Sequence, residues 1–265
     1  MRRNKLALRF VALGYLFLLL AAPVGLVFYR TFENGLGPAW DAVTTPEAQH
    51  AFWLTLVMVG TAVPINTVFG VITAIVLVRH RFPGKALMNA SIDLPFAISP
   101  VVIGLALILV YGNDGWFGGW LTEQGIQVIF SYPGMILATI FVSLPFVVRE
   151  VVPVLREIGI EQEQAASTLG STWWQTFWRI TLPSIRWGLT YGVVLATARA
   201  LGEFGAVSVV SGKLSGETET ATLFVEQRFH QFDLTGAYAA SVVLALMALA
   251  VLLSMNLLNT RRRGA

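Results

Sequence analysis

The stretch Glu161-Gln162-Glu163-Gln164-Ala165-Ala166-Ser167-Thr168-Leu169-Gly170, followed at a distance by Ile180-Thr181-Leu182-Pro183, lies in a polar island, 149–186, that carries eight charged residues in an otherwise apolar chain. Gln164 to Leu169 are mostly good helix formers, and Gly170 stops them because glycine accepts left-handed dihedrals at little cost. Ser171 or Thr172 can cap a second helix. In that helix Trp174, Phe177 and Trp178 fall at i, i+3 and i+4 and share one aromatic face, with Gln175 and Arg179 turned elsewhere. Leu182-Pro183 ends it. The spacing predicts a helix–turn–helix lying along a membrane surface, either as an amphipathic linker in the headgroups or as a docking surface.

The rest of the chain reads as membrane. Of 265 residues, 55% are hydrophobic and only 12% charged, with mean hydropathy +0.69. Soluble domains carry about 25% charged residues, so composition excludes that class. Without cysteine there is no disulfide framework and no thiolate metal site, and His50, His80 and His230 lie far apart in sequence. The net charge of +3 reflects basic loops rather than nucleic-acid binding. A span needs about 20 apolar residues, and six stretches qualify, near 10–29, 52–78, 86–111, 133–148, 187–210 and 237–258. Pro23, Pro64, Pro95, Pro100 and Pro145 are expected as kinks rather than breaks, since neighbouring helices can re-satisfy the freed carbonyls. The first stretch follows Arg2, Arg3 and Lys5 but is long for a signal core and lacks a small-residue cleavage site, so it is read as an anchor.

Fourteen of the 18 lysines and arginines fall in the N-terminal tail, 79–85, the island and Arg261-Arg262-Arg263, whereas the other loops hold Arg30, Lys213 and Arg228. This asymmetry puts both termini and the island in the cytoplasm. On the outer side, Trp116, Phe117 and Trp120 read as an interfacial belt, and 220–229 reads as a short helix with Leu223, Phe224 and Phe229 on one face. No phosphate loop is present, because Gly84-Lys85 and Gly212-Lys213 lack the upstream glycine and the following hydroxyl. No nucleophile–base arrangement is suggested either. Arg199 and Glu203 are the ionisable residues expected well inside a span, with Asp93 near the end of another, which is sparse for a self-sufficient ion-coupled carrier. An arginine at mid-span costs roughly 2.5–3.5 kcal/mol on insertion scales and must face the bundle or water. Glu203, one turn on, can neutralise Arg199, or either residue can pair with another subunit or meet an anionic substrate. Gly188 and Gly192, four apart, would allow close helix packing.

Ala165-Ala166, three residues, Gly170, nine residues, Ile180, one residue, Leu182-Pro183 resembles the EAA loop of bacterial ABC-importer permeases. Gln164 stands where that family normally has glutamate, with Glu163 beside it. Phe82-Pro83-Gly84-Lys85, the run from Asp93 to Pro100, Tyr111-Gly112 and the run from Arg199 to Gly212 are similar to the sulfate/thiosulfate branch, W-type subunit; molybdate/tungstate permeases are its near relatives. The resemblance implies an all-α integral membrane protein, a six-transmembrane-helix type I ABC importer permease bundle in the bacterial inner membrane. It divides the chain into 1–50 (tail, first span and first outer loop), 51–258 (the transmembrane domain) and 259–265 (a basic tail). It implies a homologous T-type permease, two cytoplasmic ATPase subunits that use ATP-Mg, a periplasmic sulfate/thiosulfate-binding protein and surrounding lipid as partners. No cofactor, metal or catalysis is expected in this chain. Gln164, Ala165, Ala166, Gly170, Ile180, Leu182 and Pro183 would form the ATPase-coupling loop, and Arg199 and Glu203 are candidates for the translocation path or for subunit pairing.

Overall fold

In a bilayer core a lone segment satisfies its backbone groups only as a helix. The structure, a computed structural model, shows no strand among the described residues. It describes the backbone of residues 2–263 and the side chains of residues 9–253, so the side chains of the basic tail expected at 259–265 lie outside the described residues. Helix α1 (Arg2–Leu16) passes through a π turn, Phe17–Ala21, into α2 (Ala22–Phe32). Then come α3 (Leu36–Val43), the 34-residue α4 (Pro46–Arg79), α5 (Lys85–Ala97), α6 (Pro100–Tyr111) and α7 (Gly118–Glu123). The 27-residue α8 (Tyr132–Ile158) leads to α9 (Glu161–Thr168) and α10 (Trp173–Thr176). A second π turn, Phe177–Thr181, joins α10 to the 20-residue α11 (Leu182–Leu201). The chain closes with α12 (Val207–Val210), α13 (Ala221–His230) and α14 (Leu234–Arg263).

Among the described residues, four helices are long and apolar enough to cross a membrane: Arg9–Phe32, α4, α8 and Leu234–Leu253 of α14. There are five if α5 and α6 count as one. Three of the six expected spans therefore change. The stretch 86–111 is two helices meeting at 116°, so Pro100 breaks the helix instead of kinking it. Ser99 is extended there (ψ 136°), because a proline ring disfavours helical geometry in the residue before it. The fourth span extends ten residues beyond 148, to Ile158, with Pro145 and Pro153 inside the helix. The fifth begins at Leu182 and ends at Leu201, well short of 210. Helix α11 is more polar than these four, but it packs on α4 and α8 and so needs less lipid-facing apolar surface.

Helices α4, α8 and α11 form the centre of the bundle. Val71, Ala74 and Leu77 of α4 meet Val147, Val148, Val151 and Leu155 of α8 and Ile185 of α11, all buried. Lipid is as apolar as leucine, so close packing and interhelical hydrogen bonds must hold such helices together. Glycine supplies the close approach. A Cβ on Gly188 would sit 2.8 Å from Val154 Cγ2 and 2.9 Å from the Glu150 carbonyl, and one on Gly192 would sit 3.0 Å from Val147 Cα. The glycine pair seen in the sequence thus faces α8. The buried Asn66 of α4 donates to the Ile140 carbonyl (3.0 Å) and to Ser143 Oγ (2.8 Å) on α8. Arg149 of α8 donates through Nε to Asp93 Oδ1 (2.7 Å) and through NH1 to Asn89 Oδ1 (3.2 Å), tying α5 to α8.

At the N-terminal end of α4 the Ala221 amide donates to Thr55 Oγ1 (2.9 Å), seating α13 on the bundle. Leu223 and Phe224 are buried as the sequence suggests, but Phe229 is 55% exposed because it lies on the opposite side of that short helix. Glu219, 1% exposed, precedes it. Burial pushes its carboxyl above the ordinary 4.5, with Glu47 acting in the same direction and Ser215 and Arg228 opposing. The folded chain therefore binds that proton more tightly than the unfolded chain does. The stability this contributes is complete below pH 4.5 and is lost as pH rises through the raised value. Glu219→Gln should flatten this part of the stability–pH curve of the detergent-solubilised protein. Gly188→Val should lower its stability by about 1–3 kcal/mol through overpacking against α8. Gly119→Ala, where a Cβ meets nothing within 4 Å, serves as the neutral control in the same thermal-unfolding assay.

Candidate functional site

Eight residues are too few for a helix to persist alone in water, so α9 must be held by tertiary contacts. Glu163 provides the main one. Its Oε1 accepts from Arg79 NH2 (3.1 Å) and from Thr181 Oγ1 (3.0 Å), and its Oε2 lies 3.0 Å from Arg79 Nε. The Nε contact is an ion pair at a poor hydrogen-bond angle; the NH2 bond is the aligned one. Arg79 NH1 in turn donates to the Leu155 carbonyl (3.1 Å). Arg79 is the last residue of α4, Leu155 belongs to α8, and Thr181 precedes α11. One carboxylate thus fastens α9 to all three central helices. The Arg79 and Glu163 side chains are 13% and 24% exposed, so solvent screens the pair less than it would at an open surface.

Ala166 is the buried residue of α9, while Gln164, Ala165 and Leu169 are exposed, Leu169 at 87%. The charged contact in this stretch is made by Glu163, not at position 164. Gly170 stops the helix with φ +82°, and the Ser171 amide donates back to the Ala166 carbonyl (3.0 Å). Of the two expected caps, Thr172 is the one used. Its hydroxyl accepts from the Gln175 amide (3.4 Å) while Gln175 Oε1 accepts from the Thr172 amide (2.9 Å), a reciprocal capping box. Trp174 and Trp178 pack edge-on against Phe177, with ring centres 6.4 and 5.4 Å apart. Trp173, absent from the i, i+3, i+4 reading, stacks on Phe177 at 5.7 Å. Leu182-Pro183 does not end this helix. The chain continues through the π turn into α11, where Pro183 sits in the first turn and its missing N–H leaves no bond unmade. Ile180 and Leu182 are half-buried and Pro183 is exposed.

Arg199 and Glu203 lie at the other end of α11, about 30 Å away for a helix of this length. Arg199 is in the last turn rather than mid-span, and Glu203 lies beyond the helix end. Arg199 NH1 is 2.6 Å from Glu203 Oε2. Glu203 Oε1 accepts from the Ala206 amide (2.9 Å), and the Glu203 carbonyl accepts from Thr222 Oγ1 (2.8 Å). The guanidinium is 30% exposed and the carboxylate 2%. A cation in the last turn is also favoured by the helix dipole. Among the described residues no group of histidines and carboxylates could hold a metal ion.

A helical membrane bundle that carries a short polar helix clamped to the ends of its central spans has the architecture of a transport permease. A family model described as "Binding-protein-dependent transport system inner membrane component" matches residues 66–264, and the chain belongs to that family. It is a multi-pass inner-membrane protein. It is 54% identical over 251 residues to the sulfate transport system permease protein CysW of Synechocystis sp., covering 95% of this chain and 91% of that one. It is 38% identical to the sulfate transport system permease protein CysT of Escherichia coli K12, covering 94% and 90%. A bacterial alginate ABC transporter, solved in complex with an alginate pentasaccharide-bound periplasmic protein, matches with TM-score 0.80 over 98% of this chain and 96% of its own. At 18% identity that match speaks for the fold alone.

Sequence reasoning missed Arg79 and Thr181 as partners of Glu163. Their separations of 84 and 18 residues leave no periodic trace. The available signal was a basic residue ending a span and a carboxylate displaced by one position from the expected one. Glu163→Ala should free α9, making 160–171 the first site of limited proteolysis and lowering stability by about 1–3 kcal/mol, as for a lost charge-assisted bond. Arg79→Glu combined with Glu163→Arg should recover part of the protection.

Proposed function

We propose that this chain is one permease subunit of an ATP-driven importer of sulfate or thiosulfate. The 54% identity to a sulfate permease supports the substrate class. Likeness to CysT as well as CysW supports pairing with a second, T-type permease. Both termini and α9 face the cytoplasm, by the excess of lysine and arginine there. Residues 51–258 form the transporting domain, with α11 as its fifth span, preceded by the first helix and outer loop in 1–50 and followed by the basic tail 259–265. Two cytoplasmic ATPase subunits use ATP-Mg, and a periplasmic binding protein delivers the anion.

The observation that carries this reading is the exposed ridge Gln164, Ala165 and Leu169 on a helix whose opposite edge is fastened to α4, α8 and α11 through Glu163. A partner that grips the ridge moves three spans as one body, which is how a closing ATPase pair can switch the bundle between inward-open and outward-open states. Ala166 seats the helix, Gly170 turns the chain, and Ile180, Leu182 and Pro183 lead the motion into α11. At the far end of α11, Arg199 faces the anion path with Glu203 as its fixed counter-charge.

A strain lacking its native sulfate permeases should regain labelled-sulfate uptake when this chain is expressed with its partners, and uptake should stop when ATP is depleted. Transport by the chain alone in ATP-free liposomes would overturn the reading. Gly170→Val meets no neighbour but forces a β-branched residue to φ +82°, a strain of about 1–2 kcal/mol. Uptake and substrate-stimulated ATPase activity should both fall severalfold while membrane insertion is unchanged.

A further inference from the structure

Between α4 and the aromatic segment 173–182 lies a cleft with two differently lined parts. The larger, about 600 Å³, is almost wholly apolar, with Val68, Ile72 and Ile75 of α4 on one wall and Trp174, Trp178 and Leu189 on the other. The smaller, about 330 Å³, opens beyond the end of α4 and is more polar, lined by Arg79, His80, Glu163, Ser167, Ser171 and Thr176. The two share Ile75, His80, Trp173 and Phe177, so they adjoin. Arg79 is committed to Glu163 and Leu155. The His80 imidazole and the hydroxyls of Ser167, Ser171 and Thr176 make no side-chain hydrogen bond among the described residues. Arg81 follows His80 at once in sequence, and Lys85, five residues on, donates through Nζ to the His80 carbonyl (3.2 Å). Trp174 and Trp178 are 62% and 59% exposed, as expected for indoles at a headgroup boundary.

We propose that this cleft is a binding site for one membrane phospholipid. An acyl chain lies along Val68, Ile72 and Ile75 beneath the two indoles, and the phosphate sits against His80, Ser171 and Thr176. The volumes fall in the usual ligand-pocket range of roughly 300–1,000 Å³. A second protein helix could fill the apolar part, but it would leave the imidazole and hydroxyls of the other part to water, His80 and Ser167 being exposed. A phospholipid satisfies both halves, and basic groups at the inner leaflet favour its phosphate. Bound there, it would brace the aromatic segment against α4 beside the Glu163 clamp. The assignment of the inner leaflet rests on the orientation proposed above.

The test uses the complete transporter, delipidated in detergent and titrated with phosphatidylglycerol while native mass spectrometry counts lipid bound to this chain. Wild type should bind one tightly held lipid. Ile72→Trp, which fills the apolar part, should abolish that binding. His80→Ala with Ser171→Ala should weaken it about tenfold, as for one or two lost bonds to a charged group. The polar pair lies at the cleft mouth, so it still tests the site if Ile72→Trp fails to fold. Equal binding in wild type and the His80/Ser171 variant would overturn the proposal. So would efficient cross-linking of Ile72→Cys, the only cysteine in the chain, to the second permease. The readout needs no transport, so lipid binding without sulfate uptake would fault the substrate reading alone, and uptake without lipid binding would fault only this site.

Discussion

The Arg79–Glu163 pair is the point on which the two halves of this protein meet. One half is an apolar bundle that could sit in lipid without further explanation. The other is a polar segment with one buried residue in its first helix and no core of its own. Arg79 reaches back to the Leu155 carbonyl while holding the Glu163 carboxylate, and Glu163 also takes the Thr181 hydroxyl. Four elements converge on two side chains at the boundary of the apolar core, where water screens little. Without that convergence α9 would be an eight-residue peptide on a flexible tether, and a force applied to it would be spent in the loop.

Rigidity on the bundle side has a different origin. Burying apolar surface gains little among lipid tails, so α4, α8 and α11 depend on how closely their backbones approach. Gly70 of α4 meets Val147, Gly192 of α11 meets the same valine, and Gly188 meets Glu150 and Val154 one turn on. Asn66 adds a buried polar tie, and Arg149 with Asp93 and Asn89 adds another where α5 leaves the bundle. Helix α8 takes part in every one of these contacts. It is therefore the strut against which α4 and α11 are set, and its length beyond the expected span lets Leu155 reach the clamp.

The sequence made the local devices legible. Gly170 as a stop, a hydroxyl cap at 171–172, an aromatic face around Phe177 and a close-packing glycine pair each depend on residues a few positions apart, so spacing alone exposes them. What depended on distant partners was hidden. Glu163 looked like a neighbour of the motif rather than its anchor, because nothing near it in sequence names Arg79. Pro100 reads as a kink in sequence, because proline alone does not say whether neighbours will restore the helix or exploit the break, and here the chain bends by 116°. In sequence Arg199 falls mid-span because the largely apolar stretch runs on to Val210 with Glu203 as its one charge, yet Gly202 ends α11 and the chain turns to bury Glu203.

That turn bears on how the fifth span could serve an anion. Taken as charges, Arg199 and Glu203 cancel, and an ion pair with both ends equally accessible would offer a dianion nothing. The two ends differ here. The carboxylate is sealed in, bonded to the Ala206 amide and 2% exposed, while the guanidinium is 30% exposed. An approaching dianion would meet the positive end first and the negative end only through protein. At an effective dielectric near 20, unit charges about 4 Å apart interact by about 4 kcal/mol, and the buried Glu203 would take back part of that attraction. The remainder suits a passage better than a trap, because an ion held by an uncompensated cation would leave too slowly for conduction. If Arg199 faces the anion path as proposed, Glu203 would both fix the arginine in place and moderate its pull, so neutralisation within the chain and contact with an anion are compatible in one arrangement.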